Sequence, residues 1–124
     1  LGRKSAGFEL DVLSKEKVKK GVAQILNHFG RVDILVNNAG TTRDTLLLMM
    51  SEEDWDIVIR TNLKSAYNCS KAAVKLMMRK RYGRIINIGS VAGHTAYEGG
   101  AAYCAAKAAE RKILYENAKK LFRL

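Results

Sequence analysis

Short apolar runs alternate with longer segments of helical periodicity in this sequence, and this alternation constrains the fold more than any other feature. Residues 6–12, 32–36 and 84–89 have the length and composition of strands. Between the first two, Ser14 precedes apolar residues at steps of three and four, and Gly30 follows them, as expected of a capped helix. A strand, helix, strand order predicts a parallel sheet in an α/β domain.

A longer helix is predicted to begin at Ser51, because Ser51 and Asp54 have the spacing of a capping box before an apolar stripe. The stripe consists of Trp55, Val58, Ile59, Asn62, Ala66, Cys69, Ala73 and Leu76. Asn62 therefore lies on an apolar face, where a buried amide needs hydrogen bonds. The stripe leaves open whether Asn62 only bonds neighbouring backbone or serves a site.

Polar residues stand at the carboxyl ends of the three predicted strands. Asp11, Asn38 and Ser90 each lie at such an end. In open parallel sheets, ligands bind at the edge formed by the carboxyl ends of the strands. The sequence therefore predicts a ligand site at this edge.

Tyr103 and Lys107 follow a Gly-rich turn at a spacing of i, i+4, so on a helix their side chains share one face. An ammonium beside a phenol favours the phenolate through its charge. That suits a tyrosine for proton transfer near neutral pH. Ser90 would supply a hydroxyl that holds a substrate oxygen. The alternative is an exposed helical tyrosine and lysine beside a turn serine, since a single Tyr-x-x-x-Lys is common.

The composition, with 48% hydrophobic and 27% charged residues in a chain of 124, is that of one globular domain rather than a disordered segment. No apolar run approaches the roughly 20 residues of a membrane span, and no charged-then-apolar leader opens the chain. Cys69 and Cys104 lack the paired spacing of metal ligands. We therefore expect a cytoplasmic protein with reduced thiols, no metal site and no membrane partner.

The net charge is +10, from 22 Lys and Arg against 12 Asp and Glu. The excess gathers at Lys64, Lys71, Lys75, Arg79, Lys80, Arg81 and Arg84. A basic surface attracts polyanions such as nucleic acid, a phosphorylated cofactor or an acidic carrier protein, although a solvated helix face has the same composition. The sequence has no zinc-finger spacing, basic region with heptads or aromatic RNA-binding signature, so no nucleic-acid partner is expected.

Four motifs occur together, namely Asn-Asn-Ala-Gly at 37–40, Thr-Asn-Leu at 61–63, Gly-Arg-Ile-Ile-Asn-Ile-Gly-Ser at 83–90 and Tyr-Cys-Ala-Ala-Lys at 103–107. In this order and spacing they resemble the short-chain dehydrogenase/reductase family, over about residues 6–109. The resemblance implies a Rossmann-type, doubly wound parallel sheet. Residues 1–124 would form one partial domain of that fold, with three strands and three helices. The cofactor implied is NADP, or NAD.

By this resemblance four residues would be catalytic. Tyr103 would protonate a carbonyl oxygen, and Lys107 would support its ionisation and bind the nicotinamide ribose. Ser90 would position the substrate oxygen, and Asn62 would organise the proton relay. The cofactor-binding residues would be Asp11 and Val12 at the adenine ring, Asn38, Ala39 and Gly40 beside the adenosine ribose and pyrophosphate, and Tyr103 and Lys107.

Within the family the likeness is greatest to bacterial 3-oxoacyl-[acyl-carrier-protein] reductases of fatty acid synthesis, through residues 39–47 and 88–93. This implies NADPH-dependent reduction of the ketone of a 3-oxoacyl thioester, with acetoacetyl-CoA or another carbonyl as the alternative. Arg81 stands where those reductases carry a basic residue that docks the acidic carrier protein. In the family the long helix and the Tyr-bearing helix usually build a dimer face, which implies a homo-oligomer.

Two departures from the family pattern accompany this resemblance. The Gly-rich phosphate loop does not occur in these residues, and Glu110, Arg111 and Lys112 replace small and apolar residues after Lys107. We therefore expect the central portion of an enzyme, in which the first predicted strand does not neighbour the second. By itself it would neither bind the dinucleotide tightly nor turn over substrate. A non-catalytic paralogue, acting as a subunit or a basic binding surface, is the alternative.

Overall fold

A pair of parallel strands forms the sheet that the structure describes. In the computed structural model, which describes residues 2–116 and no side chains beyond 113, β1 (Ile34–Asn37) pairs with β2 (Arg84–Asn87). The register places Ile34 opposite Arg84 and Asn37 opposite Asn87. The predicted α/β class with a parallel sheet is confirmed, as a partial Rossmann-like fold.

The α-helices follow one another along the chain in the predicted order. They are α1 (Lys15–Phe29), α2 (Glu52–Ile59), α3 (Ser65–Lys80) and α4 (Ala101–Glu110), with a π-helical segment (Arg60–Lys64) joining α2 to α3. The α1 helix packs on α3, and α3 packs on β1, whereas α4 packs across α2 and the π-helical segment. Within residues 2–116, no helix has the length and apolar character needed to cross a membrane.

The helix ends form where the local sequence signals predict them. The Ser14 Oγ accepts a hydrogen bond from the Lys17 N–H at 3.3 Å, which caps α1. The Ser51 Oγ accepts from the Asp54 N–H at 3.0 Å and donates to the Asp54 carboxylate at 2.8 Å, as in a capping box. Gly30 ends α1 in the left-handed conformation, with φ 75°, which glycine adopts without steric cost. These three predictions are confirmed.

The long helix predicted from Ser51 is present, but it is not a regular α-helix throughout. In the π-helical segment the Ser65 N–H bonds the Arg60 carbonyl five residues back. The Ser65 hydroxyl donates to the Thr61 carbonyl. Single π turns inside α-helices are frequent at functional sites. Here the segment carries Asn62, the buried polar residue of the apolar stripe.

The strand predicted over residues 6–12 is wrong, so the predicted three strands become two within the described residues. An extended segment becomes a strand only when a neighbouring strand accepts and donates its backbone hydrogen bonds, and the described part of the chain supplies no such neighbour. Side chains hold the segment instead. The Asn68 amide donates to the Val12 carbonyl at 3.2 Å, and Leu10 packs against Gly21 of α1, where a Cβ would lie 2.6 Å from it.

Small side chains, above all alanine, are frequent among the buried apolar residues. The buried apolar residues are Val18, Val58, Ala66, Ala73, Met77, Ala92, Ala102 and Ala106. Alanine on facing helices lets the backbones approach closely, and Gly93 does the same for the turn beside α4, since a Cβ there would lie 3.0 Å from the Lys107 carbonyl. The consequence is a firmly positioned α4, the helix that carries Tyr103 and Lys107.

Candidate active site

A cleft of about 370 Å³ opens at the carboxyl ends of β1 and β2. Parallel strands end at the same edge of a sheet, so Asn38 after β1 and Gly89 after β2 reach it together. The cleft is lined by Asn38, Gly40, Thr41, Thr42, Asn62, Ile88, Gly89, Tyr103 and Lys107. The edge predicted to hold a ligand is therefore concave and lined by polar side chains from separate elements.

Tyr103 and Lys107 form the helical wall of this cleft. They lie one turn apart on α4, and the Lys107 Nζ is 6.0 Å from the centre of the Tyr103 ring. Tyr103 is half-buried, whereas the Lys107 side chain is only 6% exposed. The two side chains therefore share one face of α4, as their spacing predicts, and both line the cleft.

The Lys107 ammonium is held by two acceptors at the base of the cleft. Its Nζ donates to the Ile88 carbonyl at 2.8 Å and to the Glu110 Oε2 at 2.8 Å. Glu110 is 3% exposed, so this is a buried ion pair. Sequence reasoning treated Glu110 as a departure from the family and missed this contact. The signal was present, because a Lys and a Glu three residues apart on a helix are neighbours.

Asn62 connects the loop after β1 to the long helix. Its Nδ2 donates to the Thr41 carbonyl at 2.7 Å and to the Val58 carbonyl at 2.8 Å, and the residue is 1% exposed. Within the described residues no group donates to its Oδ1. A Cβ on Gly40 would lie 2.6 Å from that oxygen, so a residue without a side chain is needed at this position. Asn62 thus lines the cleft and carries a buried acceptor oxygen that has no donor among the described residues.

Ser90 lies at the margin of the cleft and does not line it. It follows Gly89 and begins the short 3₁₀ turn Val91–Gly93, where its Oγ accepts the Ala92 N–H at 3.2 Å. A serine hydroxyl that accepts one hydrogen bond still has its proton to donate. A donor role towards a substrate oxygen is therefore compatible with this geometry.

Three residues predicted to bind a cofactor do not line the cleft. Asp11 and Val12 are in the turn before α1, where the Asp11 Oδ1 accepts the Leu13 N–H at 2.9 Å and its Oδ2 is 3.6 Å from the Lys17 Nζ. Ala39 is exposed between the two cleft residues on either side of it. The structure thus brings Asn38, Gly40, Asn62, Tyr103 and Lys107 to one cleft, and it does not place Asp11, Val12 or Ala39 among the lining residues.

The loop that forms the outer wall is fastened to the turn before α4. The Thr45 N–H donates to the Gly99 carbonyl at 3.1 Å, and the Tyr97 hydroxyl donates to the Asp44 Oδ1 at 3.1 Å. Desolvation first, and then the bond to Asp44, raise the pKa of Tyr97 above its ordinary value. Sequence reasoning did not foresee this fastening, since the two segments are more than 50 residues apart.

A hydrogen-bonded amide pair lies beneath the cleft. The Asn37 Nδ2 donates to the Asn87 Oδ1 at 2.8 Å and to the Ser70 Oγ at 3.0 Å. This links the last residues of β1 and β2 to α3, which fixes the edge from which the cleft opens. Among the side chains that the structure describes, up to residue 113, no three of His, Cys, Asp or Glu cluster as a metal site would require.

Comparison of the sequence with known proteins matches most of the chain to one family. The family model described as short chain dehydrogenase matches residues 1–122. The chain is 55% identical over 108 residues to 3-oxoacyl-[acyl-carrier-protein] reductase FabG of Haemophilus influenzae, a match that covers 87% of this chain and 45% of that protein. The proteins of the same name from Vibrio cholerae and Escherichia coli are 50% and 49% identical, with 87% of this chain and 44% of each relative covered. The chain thus spans somewhat less than half the length of these relatives.

Proposed function

Because the chain belongs to the short-chain dehydrogenase family, we propose that it carries the carbonyl-reducing site of an oxidoreductase that uses NADPH to reduce the ketone of a 3-oxoacyl thioester. The observation that carries this proposal is the common cleft of Asn62, Tyr103 and Lys107 at the carboxyl edge of the sheet. A phenol, an ammonium and a buried amide on one cavity are the groups needed to position and protonate a carbonyl oxygen.

Each of these side chains has a proposed task. Tyr103 donates its phenolic proton to the ketone oxygen, and the nearby Lys107 ammonium stabilises the phenolate that remains. The Ser90 hydroxyl donates a hydrogen bond that orients the same oxygen. Asn62 keeps the loop at Thr41 against the helix and offers its free Oδ1 to the relay that returns a proton to Tyr103.

The cleft has features that suit the nicotinamide end of a dinucleotide. A buried amide oxygen without a donor costs about 1–3 kcal/mol, which a bound hydroxyl or water would remove at Asn62. Gly40, which has no side chain, and Asn38, which has an amide, line the cleft together with Lys107, whose ammonium can donate. When bound, the cofactor supplies the hydride. Three statements about the cofactor remain predictions. They are the contacts of Asp11 and Val12 with the adenine ring, the contact of Ala39 with the adenosine ribose, and a preference for NADP over NAD.

The proposed substrate is a 3-oxoacyl group on an acyl carrier protein, as in the names of the similar bacterial proteins. Arg81 is a candidate contact for such an acidic carrier, because it is exposed in a left-handed conformation at the end of α3, beside other cations. The net charge of +10 favours an acidic partner in general. We also propose that the complete enzyme is a cytoplasmic homo-oligomer.

A second candidate function, a non-catalytic basic binding surface, has its own supporting observation. A groove of about 790 Å³ runs between α1 and α3, with an apolar floor that includes Val22, Leu26 and Leu76. Its rim carries the cations Lys15, Lys19, Lys64, Lys71, Lys75 and Arg79. If the cleft is inactive, binding of an acidic partner in this groove is the function to test next.

The test of the reductase proposal is a Tyr103→Phe substitution in a chimera. Residues 2–116 of this chain would replace the equivalent stretch of the E. coli reductase, which supplies the remaining elements. We expect the chimera to oxidise NADPH with an acetoacetyl thioester, and Tyr103→Phe to lower kcat by a factor of about 100 or more, because the proton donor is lost. A chimera that is folded and binds NADPH but is equally active with phenylalanine would overturn the proposal.

A further inference from the structure

The ion pair between Lys107 and Glu110 is the most deeply buried charge cluster within the described residues. Lys107 is 6% exposed and Glu110 is 3% exposed, with 2.8 Å between the Nζ and the Oε2. Removing one partner from such a pair is costly, because it leaves an uncompensated charge out of water. The tasks proposed above for the cleft use Lys107 but give no role to Glu110, so the presence of this carboxylate needs an account.

Counting donors indicates what Glu110 does for the cleft. A lysine ammonium has three N–H groups. The Ile88 carbonyl accepts one and the Glu110 carboxylate accepts another, both at 2.8 Å. Lys107 also lines the cleft, so its third N–H is the donor available to a ligand there. Two fixed acceptors therefore restrict the direction of the third N–H.

The effect of Glu110 is clearest when the Lys107 side chain is considered with and without this carboxylate. A lysine side chain has four rotatable carbon–carbon bonds and loses considerable rotamer entropy when it is fixed in place. Without Glu110, only the Ile88 carbonyl would hold the ammonium, and ligand binding would have to order the side chain each time. With Glu110 in place, this ordering has already occurred during folding, which is preorganisation in the usual sense.

We infer that Glu110 is a positioning residue, whose carboxylate fixes the Lys107 ammonium at the cleft wall so that its remaining N–H meets a ribose hydroxyl of the nicotinamide cofactor. This inference rests on the proposed function, because that function supplies the ligand. It adds a residue that lies outside the cleft and acts only through Lys107. Its effect belongs to dinucleotide binding rather than to the proton-transfer step at Tyr103.

The test is a double-mutant cycle on NADPH affinity in the chimera, read from the fluorescence of the bound reduced nicotinamide. Glu110→Leu should raise the Kd for NADPH about 10-fold, because ligand binding must then order the long Lys107 side chain. The KM for NADPH should rise in parallel, with kcat changed less than about threefold. In a Lys107→Met background, the same Glu110→Leu change should alter the Kd by less than about twofold, because the two residues act as one unit.

Two controls accompany the cycle. Glu53→Gln, an exposed carboxylate in the first turn of α2, should leave the Kd unchanged. Glu110→Gln, whose amide oxygen can still accept, should restore most of the affinity lost in Glu110→Leu. Glu110→Ala, which also removes the acceptor, takes the place of Glu110→Leu in the cycle if circular dichroism shows that the leucine variant is unfolded. The inference is overturned if the Kd rises equally in both backgrounds, as for a merely structural residue, or does not rise with Lys107 present. Failure of the proposed function would be seen in a different measurement, namely a Tyr103→Phe chimera that turns over substrate as fast as the unsubstituted chimera.

Discussion

Replacing Asn62 by aspartate changes two hydrogen-bond donors into an acceptor without changing the shape of the side chain. In the structure the Asn62 Nδ2 donates to the carbonyls of Thr41 and Val58. An Asn62→Asp carboxylate would place a charged oxygen against both carbonyls, in a position that is 1% exposed. A protonated carboxyl could still donate to one of them. The penalty in folding free energy should therefore depend on pH.

The magnitude follows from the two protonation states. At pH 3.5 the carboxyl is mostly neutral, and the loss of one hydrogen bond should cost about 1 kcal/mol. Burial beside two carbonyl oxygens raises the folded-state pKa above the unfolded value of about 3.9. A raised pKa of an acid destabilises the folded state as pH rises past the unfolded value, by about 1.4 kcal/mol for each pH unit. At pH 7 the penalty should reach about 3–5 kcal/mol. It cannot be much larger, because the buried carboxyl would then remain protonated at pH 7 instead of ionising.

The assay is urea unfolding of the 124-residue chain and its variant at pH 3.5, 5 and 7, with the difference between them taken at each pH. The matched control is Asn27→Asp, because Asn27 is exposed on α1. Near the end of a helix a new negative charge costs less than about 1 kcal/mol, so this control should show a small difference at every pH. A variant that is folded at pH 3.5 but unfolded without urea at pH 7 also meets the expectation.

The outcome that contradicts the reasoning is an Asn62→Asp penalty that is the same at all three pH values, or one below about 1 kcal/mol at pH 7. Either result would mean that the carboxylate finds donors or water at this position. The amide would then not hold the loop against the helix, and its proposed place in the proton relay would lose its structural support.

Three further outcomes test other parts of the molecule. Gly40→Ala should destabilise the chain by about 1–3 kcal/mol in urea unfolding, because its Cβ would displace the oxygen of Asn62. Lys71→Met should raise the pKa of Tyr67 towards its ordinary value in a tyrosine NMR titration, because the hydrogen bond from Lys71 lowers that pKa; an unchanged midpoint would refute this. Burial raises the pKa of the Cys69 thiol, so iodoacetamide should alkylate it more slowly in the folded chain than in urea.

Features determined by neighbouring residues could be predicted from the sequence. The caps at Ser14 and Ser51 each depend on one side chain and a backbone N–H three residues away. The common face of Tyr103 and Lys107 follows from helical spacing alone, and the burial of Asn62 follows from its place in an apolar stripe. In each case the local signal and the tertiary structure agree.

Features that depend on distant partners could not be predicted in this way. Residues 6–12 have the composition of a strand, but strand formation requires a neighbour, which local composition does not reveal. The bond between Tyr97 and Asp44 joins segments that no periodicity connects. Glu110 was visible in the sequence, but its burial against Lys107 depends on how α4 packs across α2.

The number of residues in the π-helical segment determines which side chains of α3 face the rest of the protein. A wide turn holds one residue more than an α-helix of the same rise, so deleting a single residue from Arg60–Lys64 would allow regular winding. Regular winding without such a deletion would rotate everything after the segment by about 100° about the helix axis. Asn68 would swing away from Val12, and Ser70 away from Asn37. A one-residue deletion within α3 should therefore be far less tolerated than one within Arg60–Lys64, where loss of the wide turn absorbs it.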